Sequence, residues 1–114
     1  MPEYVLLIGG GDFDGLSPAE MEAAHGKFMD FNKYLRENGR YLEGVQLAPA
    51  GKYITGNPPV SSDGPFAESK EVVGGYFKYT AANLDEALEI AKRCPGTLYG
   101  GKMELRPTTN HGGT

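Results

Sequence analysis

Ser61–Tyr76, SSDGPFAESKEVVGGY, leads from a polar turn into an apolar strand. The run Asp63-Gly64-Pro65 predicts the turn, because Asp hydrogen-bonds its own backbone, Gly accepts unusual dihedral angles and Pro fixes one. Apolar residues and two glycines then predict a strand over 72–80. Catalytic and binding residues often lie on loops that a rigid neighbouring strand or helix positions. This loop leads into a predicted strand, so its residues are candidates for a functional site.

On both sides of this stretch, the chain alternates between strand and helix signals. Strands are predicted at 4–8, 41–47 and 102–106, and residues 48–62 predict a loop with a short hairpin between 52–54 and 60–62. Ser17 and Glu20 form a capping box that starts a helix ending near Asn38-Gly39. Asn83 caps a second helix, with Glu86 at the capping-box position. The predicted buried positions are Ala24, Phe28, Phe31 and Leu35 in the first helix and Leu84, Ala87, Leu88 and Ala91 in the second.

The order strand, helix, strand, strand, helix, strand predicts an α+β, ferredoxin-like βαββαβ fold with an antiparallel sheet. We expect one domain over 1–107 and a flexible tail over 108–114. Two helices cover only one face of such a sheet, yet the strands carry apolar residues on both faces. An uncovered apolar face indicates a protein interface, so the sequence predicts a homodimer whose sheets pack face to face.

Composition and charge exclude several classes of function. The net charge is −4, with no cluster of Lys and Arg, so direct nucleic-acid binding is not expected. Cys94 is the single cysteine, which rules out a disulfide within the chain. There is no apolar run of the roughly 20 residues that span a bilayer. The first residues predict no signal peptide, and we therefore expect a cytoplasmic protein without membrane contact.

The sequence resembles DGPF-domain proteins of the YCII-related superfamily over nearly all of the first 107 residues. Three segments carry the likeness in the centre and in both helices: Asp63–Glu71 with Gly74-Gly75-Tyr76, Leu16-Ser17-Pro18, and Asn83–Ala87. It continues through Cys94-Pro95, Gly100-Gly101 and Glu104–Pro107. The resemblance implies a ferredoxin-like fold that dimerises as an α+β barrel. It implies less about function, because the family is largely uncharacterised and some relatives are joined to, or encoded beside, sigma factors.

In the wider superfamily, a His of the first helix and an Asp near the end of the second are proposed as a catalytic pair. His25 matches the His, whereas Cys94-Pro95 stands where those relatives have Asp-Pro. By this resemblance, Asp63 would have to supply the carboxylate from the loop. An imidazole such as that of His25 can move protons if a partner orients it. Alternatively, His25 is a surface residue beside the buried stripe of the first helix. Asp63 alternatively serves only to form the turn.

Four further residues are candidates for substrate binding: Glu68, Lys70, Glu71 and Tyr76. The three charged residues alternatively form a solvated surface, and Tyr76 alternatively packs in the core. Cys94 follows a helix C-terminus, which disfavours a thiolate nucleophile. His25 and His111 have no partners at metal-ligand spacing, and no phosphate-binding motif occurs, so neither a metal nor another cofactor is expected.

Two functional hypotheses of different classes remain, and a purely structural dimer is the third possibility. The first is a homodimer that binds a small organic molecule between sheet and helices, with His25 and Asp63 performing cofactor-free acid–base chemistry. The second is a non-catalytic binding or regulatory module that acts with a sigma factor. A cavity joining His25 to the 63–71 loop would favour the first hypothesis. The sequence does not decide whether the protein is an enzyme.

Overall fold

The computed structural model describes residues 1–11, 15–48, 51–64 and 73–109, the side chains of 62–64 excepted. The helices are α1 (Pro18–Glu37) and α2 (Leu84–Ala91), and a 3-10 segment follows at Pro95–Gly100. The strands are β1 (Glu3–Gly10), β2 (Tyr41–Gln46), β3 (Gly51–Thr55), β4 (Val60–Gly64), β5 (Val73–Thr80) and β6 (Gly101–Pro107).

Four of these strands form one antiparallel sheet in the order β2-β5-β1-β6. Leu6 of β1 lies opposite Phe77 of β5 on one side and Leu105 of β6 on the other. The order, with the crossing helix between β1 and β2, confirms the predicted ferredoxin-like topology. Within the described residues the sheet is open, so one chain does not close a barrel.

Helix α1 begins where its capping signals predict. The Ser17 hydroxyl accepts a hydrogen bond from the Glu20 N–H at 3.1 Å, and the Glu20 carboxylate accepts one from the Ser17 N–H at 3.0 Å. These two bonds satisfy donors that a helix N-terminus otherwise leaves unpaired. They also lower the pKa of the Glu20 carboxyl. The helix stops before Asn38-Gly39, as predicted, and Gly39 has a φ of 68°.

The core lies between one face of the sheet and the two helices. Phe31 of α1 contacts Phe77 of β5 edge to face, with ring centroids 5.1 Å apart. Tyr79 is fully buried, and its hydroxyl donates a hydrogen bond to the Ala87 carbonyl of α2 at 2.7 Å. The buried cluster comprises Tyr4, Leu6, Phe31, Leu35, Phe77, Tyr79, Ala81, Ala87, Ile90, Ala91 and Cys94.

The predicted buried face of α2 is wrong in part. Leu84 and Leu88 are exposed, whereas Ile90 is buried beside Ala87 and Ala91. Contacts from outside the helix set this orientation. Glu86 accepts hydrogen bonds from Arg40 Nη1 at 2.7 Å and from the Ala82 N–H at 2.8 Å, and the first of these ties this face of the helix to the turn between α1 and β2. In α1, the predicted positions are buried except Phe28, which is half-buried.

Strands β3 and β4 form the predicted hairpin as a separate two-stranded sheet. It is longer than predicted, because Asp63 and Gly64 pair with Lys52 and Gly51 and so extend the strand into the expected turn. At the other end of the chain, the Thr108 N–H donates to the Glu3 carbonyl at 3.0 Å, which ties the first residue of the predicted tail to β1. Residues 110–114 lie outside the described part.

Candidate functional site

A cavity of about 440 Å³ lies between the N-terminal half of α1 and one end of the sheet. We call it the groove. Its volume lies within the range of roughly 300–1,000 Å³ that is typical of small-molecule sites. Its lining consists mostly of apolar side chains and glycines: Ile8, Gly9, Gly10, Met21, Ala24, His25, Phe28, Met29, Asn32, Gly44, Val45, Gln46, Gly74, Gly75, Tyr76, Phe77, Gly96 and Gly101.

The groove depends on glycines that let neighbouring groups approach closely. A Cβ atom at Gly75 would lie 2.7 Å from the Val45 carbonyl oxygen, so Gly75 allows β5 to lie against β2. A Cβ atom at Gly44 would lie 3.1 Å from the ring of Phe77, so that ring can lie against bare backbone. Glycine inside a strand often marks such a close approach. The sequence shows that these glycines are present, but it does not show which residues they approach in the fold.

His25 lies on the groove side of α1, as its place beside the buried stripe indicated. It is exposed, one turn after Met21 and two turns before Asn32, and all three line the groove. Within the described residues it makes no hydrogen bond or ion pair. An imidazole at the edge of an apolar groove can exchange a proton with a bound molecule.

The other predicted site residues divide into two groups. Glu68, Lys70 and Glu71 lie outside the described residues, and so does the side chain of Asp63, whose backbone pairs with Lys52. A cavity joining His25 to this loop therefore stays a prediction. In the sequence, Glu71 precedes Gly74, a groove residue, by three positions.

Tyr76 is the one member of the predicted substrate-binding set that lies within the described residues. It lines the groove, but its hydroxyl donates a hydrogen bond to Glu43 Oε1 at 2.6 Å. Strand alternation places Tyr76, Glu43 and Lys78 on the sheet face opposite to Phe77. The bond to the Glu43 carboxylate raises the pKa of the Tyr76 hydroxyl. Whether Tyr76 binds a ligand stays a prediction.

A second cavity, of about 490 Å³, lies between the end of α1 and α2. Its charged groups already pair with one another: Arg40 Nη1 is 2.7 Å from Glu86 Oε1, and Lys92 Nζ is 3.3 Å from Glu89 Oε1. The Ala82 N–H, and after it Arg40, lower the pKa of the Glu86 carboxyl. Arg93 lies over the Tyr34 ring at 4.3 Å. The Arg40–Glu86 and Arg93–Tyr34 contacts connect the end of α1 and the turn after it to α2 and its C-terminal end, and the sequence pattern did not reveal them.

Cys94 is buried just before the 3-10 segment. Burial raises the pKa of its thiol to about 11, so the nucleophilic thiolate is scarce near neutral pH. This agrees with the expectation that Cys94 is not a nucleophile. Where superfamily relatives carry an Asp for the proposed pair, this chain thus has an enclosed thiol.

Neither described helix is long and apolar enough to cross a membrane. In the same residues, no three His, Cys, Asp or Glu side chains converge in a way that could hold a metal ion. The described lining of the groove consists of apolar side chains, glycines, two amides, one phenol and one imidazole. Such a lining suits an organic molecule.

The fold and the groove together define a small α+β domain with a ferredoxin-like sheet and a ligand-sized opening beside its first helix. The family model of the YCII-related domain matches residues 16–109, and the chain belongs to that family. The resemblance inferred from the sequence is thereby confirmed. The chain is also similar to an uncharacterized protein of Rhizobium meliloti (strain 1021), with 32% identity over 60% of this chain and 64% of that protein.

Proposed function

We propose that the protein binds a small organic molecule in the groove and acts on it by cofactor-free acid–base chemistry with His25. The groove itself is the observation that supports this. It is large enough for a ligand and is lined by Met, Phe and Ile side chains. None of its described lining residues is Lys, Arg, Asp or Glu, so the part of the ligand that these residues contact is expected to be uncharged and partly aromatic. His25 is then the side chain of the described lining that can act as a general base.

Asp63 is the proposed orienting partner of His25. A general base needs its imidazole held in one tautomer, and a carboxylate on the other ring nitrogen does this. The sequence resemblance supplies the first-helix His, and Asp63 precedes Gly74 and Gly75 of the groove by 11 and 12 positions in the sequence. Glu68, Lys70, Glu71 and Tyr76 are proposed to border the same site.

The chemistry can be tested with 5-nitrobenzisoxazole, a neutral planar probe. A base removes the ring C–H proton, the N–O bond breaks, and the electron pair ends on the phenolate oxygen of a coloured product. We expect the protein to accelerate this ring opening at pH 7.5 and His25→Ala to lower the rate on the order of tenfold or more. Asp63→Ala should lower it less, because the imidazole remains.

His111→Ala is the matched control, since it removes the other histidine of the chain. Backbone amide shifts in NMR spectra report binding of the same probe near Gly44 and Gly75. Binding at these amides with equal rates in the wild type and in both site variants would contradict the acid–base role. It would support a non-catalytic binding or regulatory module instead, for which co-purification with a sigma factor is the direct assay. An absence of shifts would contradict the proposal as a whole.

We also propose that two copies pair through the sheet face opposite to the helices. On this face Leu7, Tyr76 and Val45 lie side by side across three strands. Around them lie two ion pairs, Lys78–Glu3 at 3.1 Å and Arg106–Glu104 at 3.2 Å. An apolar centre with a mixed-charge rim suits association of identical surfaces.

Sedimentation velocity tests the pairing. We expect a dimer at micromolar concentration, and we expect Leu7→Lys to shift it to monomer, because a like pair of ammonium groups would then face each other in an apolar interface. Lys33→Glu, on the exposed surface of α1, is the charge-change control and should remain dimeric. A wild type that sediments as a stable monomer would contradict this part of the proposal.

A further inference from the structure

The groove carries one polar group whose orientation is already fixed. Asn32 lines the groove, and its Oδ1 accepts a hydrogen bond from Arg36 Nε at 2.7 Å, one turn further along α1. A guanidinium only donates, so the amide oxygen must face Arg36. The NH₂ end of Asn32 is therefore held away from Arg36 as a donor.

Arg36 is itself held in place. Its guanidinium lies over the ring of Tyr41, 3.9 Å from the ring centroid, which is a stacking contact between α1 and β2. Tyr41 also lies close to Gly44, a groove residue, because its hydroxyl is 3.2 Å from the point that a Cβ of Gly44 would occupy. Tyr41 of β2 thus holds the guanidinium of Arg36 in place, and Arg36 in turn fixes the orientation of the Asn32 amide.

The donor end of this amide has no partner within the described residues. Asn32 is half-buried, and its Nδ2 makes no hydrogen bond there. The Nδ2 atom is not enclosed, so water can satisfy it in the free protein, and an acceptor on a ligand in the groove can replace that water. His25 lies two turns earlier on the same helix, roughly 10 Å along its axis, so one ligand can reach both groups.

We propose that Asn32 is a specificity-determining residue that donates a hydrogen bond to a carbonyl-type oxygen of the ligand, with Arg36 as its positioning residue. This rests on the proposed function and narrows it. The ligand class becomes an uncharged, partly aromatic carbonyl compound. An amide held in the opposite orientation would select a donor instead, so the bond from Arg36 decides the preference.

Two probes of nearly the same shape test this. Acetophenone carries a carbonyl oxygen where α-methylstyrene carries a CH₂ group. Dissociation constants for both come from the shifts of the Gly44 and Gly75 amides in NMR titrations. The readout is the ratio of the two constants in each variant, because the difference in hydrophobicity between the probes cancels when ratios are compared.

We expect Asn32→Leu to reduce the preference for acetophenone roughly three- to tenfold, the usual effect of one neutral hydrogen bond. Asn32→Asp should reduce it at least as much, because a carboxylate accepts and cannot donate. Arg36→Met should reduce it less, since the amide is then free to flip. Lys33→Met, which removes a neighbouring charge from α1, should leave the ratio unchanged.

The outcomes separate the two proposals. If both probes bind in the groove and the ratio is the same in the wild type and in Asn32→Leu, the role of Asn32 is overturned while the groove remains a binding site. If neither probe shifts the groove amides of the wild type, the proposed function fails and this inference fails with it. If Arg36→Met and Lys33→Met change the ratio equally, Arg36 is not the positioning residue.

Discussion

Replacing Gly75 by alanine is expected to destabilise the protein by about 3 kcal/mol, an upper value for an extra methyl group in a packed site. The new Cβ would lie 2.7 Å from the Val45 carbonyl oxygen, a distance that real Cβ atoms essentially never show. The obstacle is backbone, which cannot rotate away as a side chain can. Strand β2 would have to move from β5, and these strands meet at the groove.

Gly74→Ala is the matched control for this substitution. Gly74 also lines the groove, but its Cβ would meet only the Ile8 carbonyl oxygen at 3.8 Å, an ordinary contact. The loss of unfolded-chain entropy is the same for both substitutions. We therefore expect Gly74→Ala to change the free energy of unfolding by no more than about 0.5 kcal/mol.

Urea unfolding followed by circular dichroism measures both variants. Gly75→Ala should lower the midpoint with an unchanged slope. Amide shifts should then move at Val45 and Gln46 of β2, next to the substituted residue. Equal losses in the two variants would show that the Val45 contact is not what requires glycine at position 75.

The part of the fold that local signals control was predictable from the sequence. The capping box at Ser17 and Glu20 placed the start of α1, and Asn38-Gly39 placed its end. The order of strands and helices then selected the ferredoxin-like sheet, because few topologies accept that order. The buried face of α2 was not predictable in the same way. The Arg40–Glu86 pair joins residues 46 positions apart, and an eight-residue helix has too few turns for periodicity to override it.

Of the candidate site, only those residues were predictable whose own type and position in the sequence indicate a role without reference to a contact partner. His25 could be found from its residue type and its place beside the helical stripe. Asn32 shares that flank, but its role depends on Arg36 and on the ring of Tyr41. Likewise, Gly44 and Gly75 shape the groove through partners on other strands. Register decides those contacts, and a single sequence shows register only after the sheet order is known.

Truncating Phe31 to alanine is expected to have the largest effect on stability, a loss of about 3–5 kcal/mol. Phe31 is only 3% exposed, and its ring meets Phe77 edge to face at 5.1 Å and stacks with Tyr34 at 6.5 Å. The lost ring leaves a cavity that the sheet and α1 cannot fill by relaxing. In a domain of this size, the melting temperature should fall by roughly 10–20 °C.

Met29→Ala is the control on the same helix, because Met29 also lies beside the groove but is 53% exposed. It should change stability by no more than about 0.5 kcal/mol. The two variants then separate stability from binding. Phe31 packs against Phe77, which lines the groove, so truncating Phe31 should weaken both folding and probe binding. Truncating Met29 should weaken only probe binding. Similar melting temperatures for the two variants would contradict the assignment of Phe31 to the core that holds the groove in shape.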